Sequence, residues 1–291
     1  MTSPVLVTGG TGRLGRSVVR RLRAARCDVS VLTRHHHQND DSQNDDGIRF
    51  RTGDLVTGTG VDAAVDGAAA IVHCATSSRG DAEATRNLIR AASRAGAPHL
   101  VYVSIVGVDQ LPSWGYPKAK LQAERAIAGS GLPWTILRAT QFYDYILPPL
   151  QKLARLPVIP VPAGFVVQPV DSDEVAARLV ELTLDAPAGR VPDLAGPEVT
   201  SWAGLLADYL RASGRRRQVM PVLLPGTRSI RVGGLLPRPG HSTGHRTWEQ
   251  FLAATQMATS VRLFDYLEDG RCLQVGQLNR CGRYVLGDVI G

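Results

Sequence analysis

No apolar run in the chain approaches the roughly 18 residues that a spanning helix needs, so an integral helical membrane protein is not expected. The N-terminus, "MTSPVLVTGG", lacks a basic segment ahead of an apolar one, and the reading is an unsecreted, soluble, cytoplasmic protein. Cysteine is scarce: Cys27, Cys74, Cys272 and Cys281 form no CxxC pair, which favours reduced thiols over a disulfide framework or a zinc site. Charge is sparse as well. With 20% charged and 44% hydrophobic residues among 291, the chain can bury a substantial core, as one large domain or two unequal ones.

The net charge of +7 raises the question of nucleic acid, but the arginines are spread along the chain and are not interleaved with aromatics. No nucleic-acid or membrane partner is expected. The densest cluster, "RASGRRR" at Arg211–Arg217, reads as the basic end of a helix beside Gly214, where cations complement the helix dipole. Between Arg34 and Gly47 lies "RHHHQNDDSQNDDG", polar and without apolar periodicity, which reads as a mobile loop. Adjacent side chains on such a loop make a poor preorganised site, so His35, His36 and His37 are not assigned a metal.

What is present is alternation. "VLVTG" and "DVSVLTR" have the character of strands, and between them "RLGRSVVRRLRAAR" spaces Leu14, Val18, Val19 and Leu22 for a helix. The pattern continues through "GIRFRTGDL", "VDAAVDG", "AAIVHCAT", "DAEATRNLIRAASRAG" and "HLVYVSIVG" to a helix carrying "GYPKAKLQAE" and the strand "PWTILRAT". Strands joined through helices predict an α/β fold, a parallel sheet with right-handed crossovers covering both faces. After Phe142 the proline-rich "LPPLQKLARLPVIPVPAGFVVQPV" suits turns and short edge strands. Beyond it, Asp171 is a candidate N-cap for "DSDEVAARLVELTL", and a further helix runs from about Thr200 to Gly214. This C-terminal region is expected to be smaller, mixed, and one wall of a cleft.

Gly9, Gly12 and Gly15 stand in "VTGGTGRLG", directly after the first strand and at the start of the first helix. Glycines permit a tight turn and close backbone approach to a pyrophosphate, while free amides at the helix start attract it. Thr11, Arg13 and Leu14 belong to the same turn. At the end of the second strand, where an NAD site usually offers a carboxylate to the ribose, "VLTRHHH" offers Arg34. A guanidinium suits the 2′-phosphate of NADP, with Arg13 able to approach the same group, so NADP(H) is the expected cofactor.

The TGxxGxxG turn, "GDL" at Gly53–Leu55, "HCAT" at His73–Thr76, "VYVSIVGVD" and "YPKAKLQAERAIAGSGLPWTILRATQFYD" resemble the short-chain dehydrogenase/reductase superfamily, in particular its atypical NmrA-like, NAD(P)-binding branch. The likeness runs from residue 5 to about 255; the segment from Gln256 matches nothing in that pattern. It implies a Rossmann-type doubly wound parallel sheet over residues 1–155 and a substrate-side region over 156–291. The resemblance places Asp54 and Leu55 at the adenine, and Cys74, Ala75 and Thr76 beneath the cofactor. It gives Lys120 the nicotinamide ribose, and sets Thr140 and Phe142 near the nicotinamide. A possible homodimer is implied too.

In the reductases of this superfamily a Tyr donates a proton to the substrate carbonyl, assisted by Lys and an upstream Ser; Tyr116, Lys120 and Ser104 occupy those places. An ammonium near a phenol lowers its pKa from about 10, which makes the chemistry reasonable. Pro117 bears on the geometry, since it suits the first helical position and would leave Tyr116 as the cap. Ala139 stands where the family's strand-end motif usually carries proline. Three readings follow: an NADPH-dependent reductase of a carbonyl or activated double bond in a small organic substrate, a non-catalytic NmrA-like redox sensor, and a sugar-nucleotide epimerase or dehydratase. Tyr143 and Tyr145 follow the sixth strand, where a substrate cleft would open. His73, Trp134 and Trp248 read as packing residues.

Overall fold

In the computed structural model, which describes residues 3–34, 47–76, 80–111 and 115–257, the β-branched runs become parallel strands and the amphipathic segments become the helices that cross over them. The first half runs β1 (Pro4–Thr8), α1 (Arg13–Ala24), β2 (Asp28–Thr33), β3 (Ile48–Thr52), α2 (Val61–Val65), β4 (Ala70–His73), α3 (Asp81–Arg94), β5 (His99–Ile105), α4 (Gly115–Ala128) and β6 (Trp134–Ala139). Then follow α5 (Tyr143–Leu153), β7 (Val158–Pro162), β8 (Val166–Val167), α6 (Ser172–Leu184), β9 (Gly189–Arg190), β10 (Leu194–Ala195) and β11 (Thr200–Ser201). The remaining elements are α7 (Trp202–Ala212), β12 (Gln218–Val222), α8 (Arg228–Arg231) and β13 (Ser242–Thr243). His35–His37 lie outside the described residues, as does the chain from residue 258.

Nine strands form one parallel sheet in the order β13-β10-β6-β5-β4-β1-β2-β3, with β9 also pairing β6. The order reverses between β1 and β4, the switch point at which a doubly wound sheet opens a crevice. Period-two alternation sorts the core. Val5, Val7, Val29, Val31, Val101 and Val103 face Leu14, Val18 and Leu22 of α1 and Val175 and Leu179 of α6. Leu6, Ile71, Leu100, Tyr102 and Ile136 face α2, α3 and α4 through Ala64, Leu88, Ala91, Ala123 and Ile127. Each such leucine or isoleucine, fully buried, contributes about 1.5–3 kcal/mol. Strands β9, β10 and β13, from beyond residue 156, extend this same sheet past β6. The helix caps match the sequence: the Asp171 carboxylate accepts from Asp173 N, and the Ser201 hydroxyl accepts from Gly204 N.

Two elements differ from the sequence expectation. The stretch after Phe142 is not all turns and edge strands, because α5 forms with Pro148 and Pro149 inside it. A proline has no N–H for the carbonyl four residues back, so Pro148 leaves the Asp144 oxygen without its helical donor. Arg13 Nη1 donates to that oxygen at 2.6 Å and repairs the gap from outside the helix. The arginine cluster is divided: Arg211 lies in the last turn of α7 as expected, and the later arginines serve a different helix end. Arg215 Nη1 and Arg217 Nε approach the Ala154 carbonyl at 3.4 and 3.3 Å, at the C-terminal end of α5 and not of α7. Both groups still complement a helix dipole's negative end.

The chain divides into two compact units, residues 1–248 and 249–291. The second is helical over 249–257. Among the described residues no helix is long and apolar enough to cross a membrane.

Candidate active site

The turn between β1 and α1 is built without side chains. Gly9 has φ of 71°, and a Cβ there would stand 2.6 Å from the Ala75 amide nitrogen, so only glycine lets the turn lie against the end of β4. A Cβ on Gly15 would meet Gly10 Cα at 2.7 Å and the Gly9 carbonyl oxygen closer still. Gly12 is the N-cap of α1 with no side-chain cap and no acid in the first turn. The free amides and positive dipole end are therefore open to an anion. Thr11, Gly12 and Arg13 are exposed, while Leu14 is anchored in the core. This is a cradle that fits a dinucleotide pyrophosphate.

Around it the candidate residues take different positions. Arg34 is exposed at the end of β2. Arg13, expected at the same phosphate, points to α5: besides the Asp144 carbonyl it lies 5.9 Å from the Tyr145 ring centroid. Asp54 turns its carboxylate back to the Val56 amide at 2.8 Å, and Leu55 is buried in the core. Cys74 and Ala75 are half-buried and Thr76 exposed at the end of β4. Burial pushes the Cys74 thiol up to about 12 against the opposing effect of Lys120, so it is no nucleophile near neutrality. Thr140 is buried, its hydroxyl donating to the Gln168 carbonyl at 2.6 Å. Phe142 is the N-cap of α5, with its ring 5.8 Å from that of Tyr145.

Tyr116 lies within the first turn of α4, not before it, and Pro117 falls where a missing N–H costs nothing. Tyr116 is 38% exposed and Lys120 2%. One turn apart, they share a face: Lys120 Nζ lies 5.8 Å from the Tyr116 ring centroid and 4.7 Å from that of Tyr102, and donates to the Val103 carbonyl at 3.3 Å. Its carboxylate partner is Asp81, 3.6 Å away and equally buried. The ammonium is thus neutralised from the α3 side. The Tyr116 phenol does not move as expected: burial raises it above 10, the Thr76 hydroxyl draws it back, and the Asp81 charge raises it again. Ser104 is buried on β5, on the same face as Tyr102, and its Oγ has no hydrogen-bond partner among the described residues.

Asp81 and Tyr102 are the members of this cluster that the sequence did not single out. An acid in the first turn of a helix is an ordinary complement to the dipole, and a strand tyrosine is an ordinary core residue. His73 packs as expected but within a polar chain. Its Nδ1 is 2.7 Å from Thr8 Oγ1, its Nε2 3.3 Å from Thr85 Oγ1, and its ring stacks on Tyr102 at 5.2 Å. Burial, with Lys120 adding to it, holds its pKa down at about 3, so it is neutral. The two later tyrosines separate: Tyr143 is in the core, donating to the Arg246 carbonyl, while Tyr145 is 55% exposed beside Phe142 and Arg13. Among the described residues no group of three or more His, Cys, Asp or Glu could hold a metal ion.

The chain is similar to several known proteins. An uncharacterized protein of Mycobacterium tuberculosis is 29% identical over 235 residues, 78% of this chain, and the chain spans only 25% of that protein's length. The NAD(P)H azoreductase of Xenophilus azovorans is 25% identical over 235 residues, covering 80% of this chain and 82% of its own. A crystal structure of an Escherichia coli NADPH-dependent quinone oxidoreductase complexed with NADPH superposes with a TM-score of 0.74 over 87% of this chain and 99% of that one. At 22% identity that likeness establishes the fold. The model of the NAD(P)H-binding family matches residues 9–184, from the glycine turn to the end of α6, and with more than half of its length inside that match the chain belongs to this family.

Proposed function

We propose that the protein is an NADPH-dependent reductase of the NmrA-like branch of the short-chain dehydrogenase/reductase superfamily. Its substrate in this reading is a small conjugated molecule with a carbonyl or activated double bond. The observation that carries the reading is the pairing of an accessible phenol, Tyr116, with a buried ammonium, Lys120, on one face of α4 at the end of β4 and β5. The bound nicotinamide would supply hydride. Tyr116 supplies the proton to the developing oxyanion; because its phenol is raised above 10, the donor form is fully present at neutral pH and declines only above the usual phenol range. Lys120 would hold the cofactor ribose, and the Ser104 hydroxyl would donate to the substrate oxygen. Tyr145 and Phe142 form an aromatic wall. That a relative is an NAD(P)H azoreductase supports a conjugated acceptor.

A second reading, a redox sensor without turnover, is favoured by one observation: Lys120 is already paired with Asp81 and does not activate the phenol. Following NADPH oxidation with quinones, enones, ketones and azo compounds separates the two. Tyr116→Phe is expected to lower the rate by about 10²–10⁴-fold with cofactor affinity retained; an unchanged rate removes Tyr116 from the chemistry. Tight NADPH binding with no turnover on any acceptor selects the sensor. Arg34→Ala is expected to weaken NADPH and leave NADH unaffected by fluorescence titration. Equal affinity of the parent for both cofactors would overturn the NADP preference.

A further inference from the structure

We propose that Asp81 is a positioning residue: by holding the Lys120 ammonium against β5 and competing for the single proton of Thr76, it keeps Tyr116 in its neutral, proton-donating form. The inference rests on Tyr116 being the proton donor, and it explains why the ammonium one turn away does not activate the phenol.

The geometry is a three-way junction. Asp81 Oδ2 lies 3.6 Å from Lys120 Nζ and 3.1 Å from Thr76 Oγ1, and that hydroxyl is in turn 3.3 Å from Tyr116 Oη. A threonine hydroxyl has one proton, and an ionised carboxylate can only accept. Thr76 therefore donates to Asp81 and accepts from Tyr116, so the phenol keeps its proton in a hydrogen bond. If Tyr116 ionised, the same Thr76 hydroxyl would have to turn away from Asp81 to stabilise the phenolate. Asp81 resists that turn and adds its own negative charge close by. A simple dipole role does not account for the side chain, which is 4% exposed and directed at Lys120 and Thr76 instead of toward solvent.

The groups around Tyr116 come from several elements: Thr76 after β4, Asp81 of α3, Tyr102 of β5, Lys120 of α4, and Tyr145 of α5, which itself has Arg13, Asp144 and Cys74 about it. Cys74 and Tyr102 are held protonated, each near 12, so Asp81 is the charged group whose removal changes the balance. Two substitutions should then act in opposite senses. Asp81→Asn removes the charge and frees the Thr76 proton, which favours the phenolate. Thr76→Val removes the phenolate's donor and disfavours it.

The test is the near-ultraviolet absorbance of phenolate at a fixed alkaline pH, for the full chain and each variant, taken as the difference from the same protein carrying Tyr116→Phe. The Tyr116 phenolate fraction should rise several-fold in Asp81→Asn and fall in Thr76→Val. No change in either, or shifts in the same direction, overturns the proposal, as does a lower melting temperature in Asp81→Asn with the titration unmoved. Should Asp81→Asn fail to fold, Thr76→Val decides: a fall supports the proposal and any other result sinks it. Because this titration needs no substrate, it reads out even if no acceptor is reduced, which separates failure of the inference from failure of the reductase assignment. Where turnover is found, the alkaline limb of kcat/KM should move to lower pH in Asp81→Asn.

Discussion

Gly15→Ala should weaken NAD(P)H binding by roughly 10- to 100-fold, measured by nicotinamide fluorescence titration. The added methyl would stand 2.7 Å from Gly10 Cα and overlap the Gly9 carbonyl, both backbone atoms, so no rotamer change relieves the clash. Relief requires the turn and the first turn of α1 to separate, and strain of about 1–3 kcal/mol is usual for overpacking. If that strain is relieved by displacing the amides of the first turn of α1, it appears as lost affinity at about tenfold per 1.4 kcal/mol. Unchanged affinity would show that the pyrophosphate does not rest on this turn.

The second large effect concerns stability. Glu124 on α4 and Arg138 on β6 form a buried bidentate pair at 2.9 and 2.7 Å, and Asp109 approaches the same guanidinium at 3.3 Å. Glu124→Gln leaves the guanidinium in a site with side-chain exposures of only 5% and 8% for the pair. Breaking a buried pair from one side costs about 3–5 kcal/mol. At about 2–4 °C per kcal/mol for a domain of this size class, the melting temperature should fall by roughly 6–20 °C. A double replacement, Arg138→Met with Glu124→Leu, should recover most of the loss, because the uncompensated charge is then gone. A fall in Tm of less than 2 °C in Glu124→Gln would show that Asp109 alone satisfies Arg138. The pair also anchors α4, so the single substitution should disturb Tyr116 and Lys120 before it unfolds the sheet.

The parts of this molecule that follow from local chemistry were legible in the sequence. Alternation and helical spacing located β1 to β6 and their helices, and three glycines at one strand-to-helix junction located the cradle. Asp171 was recognised by cap chemistry, and the start of α7 was located near Thr200, one residue from its cap Ser201. What was hidden depends on partners remote in the chain. Pro148 and Pro149 argue locally against a helix, and α5 exists because tertiary packing and Arg13 supply what the prolines withhold. Two-residue strands carry no periodicity: β10 is defined by the edge of β6, and β13 in turn by the edge of β10. The Tyr116–Lys120 spacing was visible, but the electrostatics were not. Whether the ammonium activates the phenol depends on Asp81, 39 positions before Lys120, and nothing in the spacing reports which charge lies nearer.

The proline in α5 has a consequence for the order of assembly. The bond from Arg13 to the Asp144 carbonyl joins positions 131 residues apart, so it closes a long loop and forms only after that loop's entropy has been met by other contacts. The strands β2 to β6 lie within that interval and supply those contacts. The α1 to β2 segment can form early from its own short-range contacts, whereas the tie between the glycine turn and α5 belongs among the last to close and the first to open. Local unfolding would then begin at the cleft, next to Tyr145, while the sheet beneath remains intact.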